Sequence, residues 1–249
     1  MLLDVITTNV SEWKSIVNAI GNISEEAMFI CNSDGITFRG IDPTHVSLLD
    51  VTFPKESFEK FECETTFFGL RIADFKNVLN AADNNDVIQF QIEQQDNLKI
   101  LISGSIEMTY SLRLIEKTEV NTPLPKIDRK SKISISPNAL TRIISNIEKI
   151  SENMTITTLE DKVEFYGIGD IGDAKIDLKK SDESLHELDI IEDTTAVYSL
   201  EYMADVIRSI GRSCKNINME FSSKSPINIG FEMPSKTMVG FYLAPRVQD

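Results

Sequence analysis

One stretch of this chain matches a ligand-binding motif by spacing: Gly167-Ile168-Gly169-Asp170-Ile171-Gly172 is a formal G-x-G-x-x-G. In a dinucleotide site the last glycine leads into a helix whose N-terminal amides face the pyrophosphate. Here Asp173-Ala174-Lys175-Ile176-Asp177-Leu178 follows, alternating polar and apolar as a strand does, so the glycines read as a turn. No G-x-S-x-G, G-x-x-x-x-G-K-[ST] or H-E-x-x-H occurs. The only histidines are His45 and His186, too few for a histidine-built catalytic or metal centre. Cys31, Cys63 and Cys214 are scattered, with no Cys-x-x-Cys, and read as reduced structural thiols rather than zinc ligands. The Asp and Glu residues show no spacing that singles out a catalytic pair, and they read as a solvated surface. No enzyme activity, cofactor or metal is therefore expected. A nucleotide-dependent enzyme using the 167–172 loop is the alternative in that class.

The 249 residues are 41% hydrophobic, enough for one large or two ordinary domains. No run reaches the roughly 18 apolar residues that span a bilayer, and Met1-Leu2-Leu3-Asp4 lacks the basic and apolar parts of a secretory signal. An intracellular protein without membrane partners is expected. The net charge of −14 argues against nucleic acid for the chain as a whole, so the distribution of charge matters.

Four amphipathic helices are expected, at 9–23, 70–82, 137–150 and 199–215. The first carries the stripe Trp13, Ile16, Val17, Ile20 and Ile23, opposite Lys14, Ser15 and Asn18, with Asn9 or Ser11 as its cap. The second turns Ile72, Phe75, Leu79 and Ala82 inward and Arg71, Asp74, Lys76, Asn77 and Asn80 mostly outward. Ser136-Pro137-Asn138 opens the third, with Leu140, Ile143, Ile144, Ile147 and Ile150 inward. Over these spans the helices carry +3 and the rest of the chain −17. By itself that is ordinary mixed-charge helix surface. Strands are expected at about 2–7, 26–31, 35–41, 46–53, 58–63, 87–92, 98–102, 106–115 and 172–179, with Asp42-Pro43-Thr44-His45 as the turn of a hairpin.

The stretch 117–130, with Thr122-Pro123-Leu124-Pro125, can continue neither a helix nor a central strand, because proline lacks the amide donor and fixes φ. It reads as a connector between an N-terminal domain, 1–116, and a C-terminal domain, 131–249. Beyond it the order repeats. Trp13 and Leu140, Ile16 and Ile143, Phe38 and Phe165, and Gly40 and Gly167 are each 127 residues apart; Leu70 and Leu200, and Met108 and Met238, are 130 apart. Such periodicity signals an internal duplication.

The run Gly35-Ile36, strand, Ile41-Asp42-Pro43-Thr44-His45-Val46-Ser47-Leu48, strand, together with the ending Tyr242-Leu243-Ala244-Pro245-Arg246-Val247, resembles the archaeal and eukaryotic DNA sliding clamps, the proliferating cell nuclear antigen family. The resemblance implies an α+β fold: a duplicated two-domain DNA clamp, each domain with two helices packed on antiparallel sheets, three subunits closing a head-to-tail ring. It implies a polymerase processivity factor that encircles duplex DNA without reading sequence. A separate ATP-driven loader would open the ring, and DNA polymerase, ligase and flap nuclease would dock through short clamp-binding motifs. The protein would sit in the cytoplasm at the nucleoid in an archaeon, or in the nucleus of a eukaryote.

Carried onto this chain, the resemblance places Lys14, Lys76, Asn77, Asn80, Arg142, Lys149, Arg208 and Arg212 toward DNA. It places Ser15, Gly21, Asn77, Asn80 and Ser145 where related clamps often carry Lys or Arg. The partner groove would use Ile41, His45, Val46, Leu48, Leu124, Pro125, Ile127, Pro226, Tyr242, Ala244 and Pro245. Without the resemblance, His45 reads as a turn residue and Tyr242 as a core residue. Tyr110 and Leu112 on one edge strand, with Ala174 and Ile176 on another, would join subunits. The remaining alternative is a duplicated β-rich scaffold that binds no DNA.

Overall fold

The computed structural model describes residues 1–94, 96–116 and 122–246. Two compact units emerge, one of residues 1–122 with 233–239 and the other of 123–232 with 240–249. The first runs β1 Leu3–Thr7, α1 Val10–Ile23, β2 Glu26–Asn32, β3 Gly35–Ile41, β4 Ser47–Pro54, a 3₁₀ turn, β5 Lys60–Cys63, β6 Thr66–Arg71, α2 Ile72–Asn80, β7 Val87–Ile92, β8 Asn97–Ser103 and β9 Glu107–Arg113. The second repeats this order as β10 Ser131–Ile135, α3 Pro137–Ile147, β11 Asn153–Leu159, β12 Lys162–Gly169, β13 Gly172–Lys179, β14 Leu185–Ile190, β15 Thr194–Ser199, α4 Leu200–Ile210, β16 Asn216–Phe221, β17 Ile227–Glu232 and β18 Met238–Leu243.

The duplication extends to sheet topology. In the first unit the strands run β5-β1-β7-β8-β9 and β4-β3-β2-β6; in the second, β14-β10-β16-β17-β18 and β13-β12-β11-β15. Val10 with Pro137, Glu26 with Asn153, and Gly35 with Lys162 start equivalent elements 127 residues apart. The expected spacing of 130 joins the starts of β8 and β17, Asn97 and Ile227, but not the two residue pairs from which it is read. α2 and α4 begin at Ile72 and Leu200, 128 apart, so Leu200 is the counterpart of Ile72 and not of Leu70. β9 and β18 begin 131 apart, so Met238 is not the counterpart of Met108. Loop length varies between the copies while the buried faces keep register.

Within each unit two helices pack against one another, and their apolar stripes close the core. Trp13 of α1 stacks on Phe53 of β4 with ring centroids 4.0 Å apart and meets Phe75 of α2 and Phe90 of β7. One indole thus ties both helices to both sheets of the first unit. Such pairs add roughly 0.5–1.5 kcal/mol each beyond area burial. The second unit replaces this aromatic centre by Leu140, Ile144, Met203 and Ile207, all at most 1% exposed.

Several boundaries differ from those that periodicity predicts. β6, Thr66–Arg71, takes the place of the end of a polar stretch and the start of a helix. Leu70 and Ile72 share an apolar spacing that a helix also satisfies, and only pairing with β2 decides for a strand. The third and fourth helices end at Ile147 and Ile210, so Ile150 lies beyond the stripe and is only half-buried. Asn9 occupies the N-cap of α1, but its side chain makes no cap; its amide donates to Ser57 O at 3.0 Å instead. Ser15 is buried and Lys14 and Asn18 half-buried, because α2 packs near the side expected to face water. Ser136 caps α3 as expected, accepting from Ala139 N at 3.4 Å, with Pro137 in the first turn. Of the connector, 117–121 lies outside the described residues, and 122–130 forms neither helix nor strand. No helix among the described residues is long and apolar enough to cross a membrane.

Candidate functional site

The glycine loop at 167–172 is the tip of the β12–β13 hairpin. Gly169 pairs with Gly172, and no helix follows. Gly167 and Gly169 are there for close approach: a Cβ on Gly167 would lie 2.4 Å from Ile147 Cγ2, and one on Gly169 would lie 1.8 Å from Ile150 O, whereas Gly172 has open space and a φ of 141° that favours glycine. The loop has no helix N-terminus to offer a pyrophosphate.

The cations expected to face DNA divide by what they touch. Lys76, Arg142 and Arg212 are exposed and have no carboxylate partner among the described residues. Lys149 is exposed and donates to Asn146 Oδ1 at 3.0 Å. Arg208 pairs with Glu148 and lies 3.6 Å from Asp205, which neutralises much of its charge locally. Lys14 is half-buried, and its ammonium donates to the carbonyl of Ala82 just beyond α2, where it offsets the negative end of that helix. Asn77 and Asn80 are exposed on α2.

The charge balance of the helices also shifts. Within the observed bounds α1 and α2 are neutral, α3 carries +1 and α4 −1, so the helices together are neutral rather than +3. Arg71, Lys149, Arg212 and Lys215 flank the helices instead of lying within them. These surfaces remain less acidic than the chain at large.

In the first unit the hairpin turn between β3 and β4 is built on one carboxylate. Asp42 is 4% exposed and accepts from Val46 N at 2.8 Å, Thr44 N at 2.8 Å and Ser47 Oγ at 3.1 Å, and also from Thr44 Oγ1 and Ser47 N. Burial pushes its pKa up, but these donors, led by Thr44 and Ser47, outweigh it and hold the group below the usual carboxylate range. The result is a rigid loop that carries His45 at φ 60°, fully on the surface. Ile41 and Val46 flank it half-buried, and Val46 lies just outside β4, which starts at Ser47. Leu48 is only 5% exposed, leaving little of it for a partner. A shallow concavity beside the loop is lined by Ile23, Glu25, Glu26, Ile41, Pro43 and His45.

In the second unit Leu124 is 38% exposed, an unusual position for a large aliphatic side chain, while Pro125 and Ile127 are half-buried. Tyr242 on β18 is half-exposed and lies over Gly240, where a Cβ would come 3.3 Å from Tyr242 Cε2. It is therefore no core residue. Ala244 and Pro245 follow half-buried, held where Arg246 N donates to Val197 O at 2.7 Å. Pro226 is half-buried behind a residue that no sequence signal singles out: Tyr198, whose hydroxyl donates to Ser225 O at 2.8 Å. Burial pushes this phenol well above its ordinary value and keeps it a hydrogen donor. In the sequence it is legible only as an apolar-looking residue in a strand, Thr194–Ser199.

The two strands assigned to subunit contact are both edges. Among the described residues β9 pairs only with β8 within its sheet, and β13 only with β12. β9 spans Glu107–Arg113 rather than 106–115, and β13 spans Gly172–Lys179. Tyr110, Leu112, Ala174 and Ile176 are half-exposed along them.

Comparison with known proteins accounts for the whole duplicated layout. The family profile described as proliferating cell nuclear antigen, N-terminal domain, matches residues 2–120, and that for the C-terminal domain matches 123–246. A DNA polymerase sliding clamp of Nitrosopumilus maritimus is 39% identical over 244 residues, covering 98% of each chain. One of Cenarchaeum symbiosum is 37% identical over 250 residues, covering 100% of both. Among solved structures, the PCNA of Thermococcus kodakaraensis aligns with a TM-score of 0.93 at 22% identity, covering 98% of this chain and 100% of that one. The PCNA2–PCNA3 complex of Sulfolobus tokodaii aligns with a TM-score of 0.90 at 26% identity, with the same coverage.

Proposed function

The chain belongs to the proliferating cell nuclear antigen family, and from that premise we propose how its own residues perform the work of a DNA polymerase processivity factor. It is a sliding clamp: a ring of subunits around duplex DNA that keeps a polymerase at its template. The observation that carries this is full-length correspondence to the two-domain family, together with a fold that repeats one eleven-element unit twice. Tethering acts through effective concentration, because a polymerase held on the ring rebinds the primer end before it diffuses away.

In our reading the chain divides into an N-terminal clamp domain, 1–116, a connector, 117–130, and a C-terminal clamp domain, 131–249. Lys76, Arg142, Lys149 and Arg212 supply exchangeable phosphate contacts on the helix-bearing side of each domain, with Asn77 and Asn80 as neutral neighbours. Arg208 and Lys14, already engaged within the chain, contribute less. Few and weak contacts suit sliding, since phosphate binding carries no sequence information and a strongly basic surface would hold one position. A partner peptide is recognised by two sets of residues: Ile41, His45 and Val46 on the first unit, and Leu124, Ile127, Pro226, Tyr242, Ala244 and Pro245 on the second. The flanking peptide would add to an exposed strand edge. Ligase and flap nuclease are proposed partners through such motifs, the ring would form from three subunits, and a separate loader would open it at the nucleoid.

The test is a polymerase extension assay on primed circular DNA. The clamp is expected to lengthen products with similar efficiency on any sequence. A protein that left product length unchanged, or that bound one sequence selectively, would sink this reading.

A further inference from the structure

Two cysteines that are far apart in the chain meet inside the first unit. Cys31, fully buried, is the penultimate residue of β2 and stands opposite Thr66 of β6, which is also buried, so both side chains point inward. Cys63 is the last residue of β5, three residues before Thr66, where the chain crosses from one sheet of the unit to the other. That crossing sets the half-buried Cys63 against Cys31, and the two thiols are hydrogen-bonded to each other. We infer that Cys31 and Cys63 form an oxidisable dithiol, in which the more accessible Cys63 takes the attack on a peroxide and Cys31 then closes a disulfide between the two sheets.

The surroundings of the two sulfurs assign the roles. The hydrogen bond to Cys63, and after it burial, hold the Cys31 thiol well above the ordinary range, so Cys31 keeps its proton and is the donor of the pair. Cys63 is the acceptor. The Cys31 S–H stabilises its thiolate and holds it below the ordinary thiol value, against partial burial and the nearby Glu64 carboxylate. The thiolate is the nucleophilic form, so Cys63 reacts first. While protonated, Cys63 Sγ donates to Glu64 O at 2.8 Å. Cys214 in the second unit is the internal contrast: burial pushes its thiol up to about 12, its Sγ donates to Gly211 O at 3.7 Å, and no thiol is among the groups that act on it.

The Cys63 thiolate attacks one peroxide oxygen and the O–O bond breaks. Hydroxide leaves, takes up the proton that Cys63 had released, and Cys63 becomes a sulfenic acid. The Cys31 sulfur then attacks the Cys63 sulfur; the S–O bond breaks, and the departing hydroxide takes the Cys31 proton as water. The peroxide is thus reduced by two electrons to two waters, and the two thiols are oxidised to one disulfide. A small thiol reverses this by exchange at the more accessible Cys63 sulfur. The bond joins β2 to β5 and closes the segment 31–63, which contains β3, β4 and the loop built on Asp42. Because such a closure restricts the unfolded chain far more than the folded one, the oxidised unit resists unfolding.

The test exposes the native full chain to hydrogen peroxide, quenches it, and alkylates the remaining thiols in denaturant for mass spectrometry. Wild type is expected to fall from three alkylatable thiols to one, Cys214, with the Cys31 and Cys63 peptides linked until a thiol reductant is added. The oxidised chain is expected to unfold at a higher denaturant midpoint than the reduced one. Cys31→Ala is expected to hold Cys63 as a sulfenic acid that a 1,3-dione reagent labels, and Cys63→Ala to slow oxidation of Cys31 by about ten-fold or more. Three alkylatable thiols after treatment, or loss of Cys214 before the other two, overturns the dithiol. Cys63 driven to sulfinic acid while Cys31 stays alkylatable overturns the disulfide, and Cys31 oxidising as fast in Cys63→Ala as in wild type overturns the order of attack. The wild-type arms decide the proposal where a variant fails to fold.

Discussion

Asp42 is the residue on which the β3–β4 loop, proposed above to meet partners, depends, since five donors converge on its buried carboxylate. Hydrogen bonds to a charged group contribute about 1.5–3 kcal/mol, so Asp42→Ala is expected to cost about 2 kcal/mol of stability at neutral pH in denaturant titration. Because the folded pKa is depressed, this contribution is complete above the unfolded value near 3.9 and is lost as pH falls through the folded value. The difference between variant and wild type should therefore shrink between neutral pH and an acid pH below the unfolded value. A constant difference at both pH values would mean that the carboxylate is not the source. Leu124 and Ile127 belong to the same scale. They lie in a segment without helix or strand, Leu124 exposed and Ile127 half-buried. Leu124→Ala with Ile127→Ala should weaken a clamp-binding peptide in calorimetric titration by about 2 kcal/mol or more, with thermal stability nearly unchanged. Unchanged affinity would move the partner site elsewhere.

Among the elements, the helices present their cations unequally. Removing one cation that neutralises a phosphate lowers the slope of log affinity against log salt by roughly 0.9. Arg142→Gln and Arg212→Gln should each lower it by close to that amount, measured on short linear duplex DNA, where no topological link masks the phosphate contacts. Arg208→Gln should lower it by less than half as much, because Glu148 already screens that guanidinium. Equal effects at all three positions would mean that the Arg208–Glu148 pair opens on DNA. For the edge strands, proline removes a ladder donor. Tyr110→Pro and Ile176→Pro are accordingly expected to release monomers by light scattering, since β9 and β13 are edges with amides free to pair. The difference between β6 and the expected helix at 70–82 has the same root, because the hydrophobic spacing of a short segment fits either period until a partner strand is present.

For the whole molecule, a topological link to DNA differs from affinity for it. A clamp loaded on circular DNA should stay bound at salt that strips ordinary phosphate contacts, and it should slide off once the circle is cut. Gel filtration before and after linearisation measures this directly, and retention on the linear form would argue for ordinary binding.

Much of this architecture is legible in the chain itself. The spacing of 127 between Trp13 and Leu140 exposes the duplication. The stripes of the first three helices and the turn at Asp42-Pro43 follow from periodicity and turn chemistry, because these signals are local. The environment of each cation is not legible. Lys14 and Arg142 look alike in sequence, yet one ammonium is spent on the Ala82 carbonyl and the other side chain faces water. Glu148 and Arg208 are sixty residues apart and meet only when α3 and α4 pack. Tyr198 looks like any strand residue until its hydroxyl finds Ser225. Sequence period determines which face of an element is apolar; only packing determines which polar group stands opposite, and that contact decides whether a charge remains available to a partner.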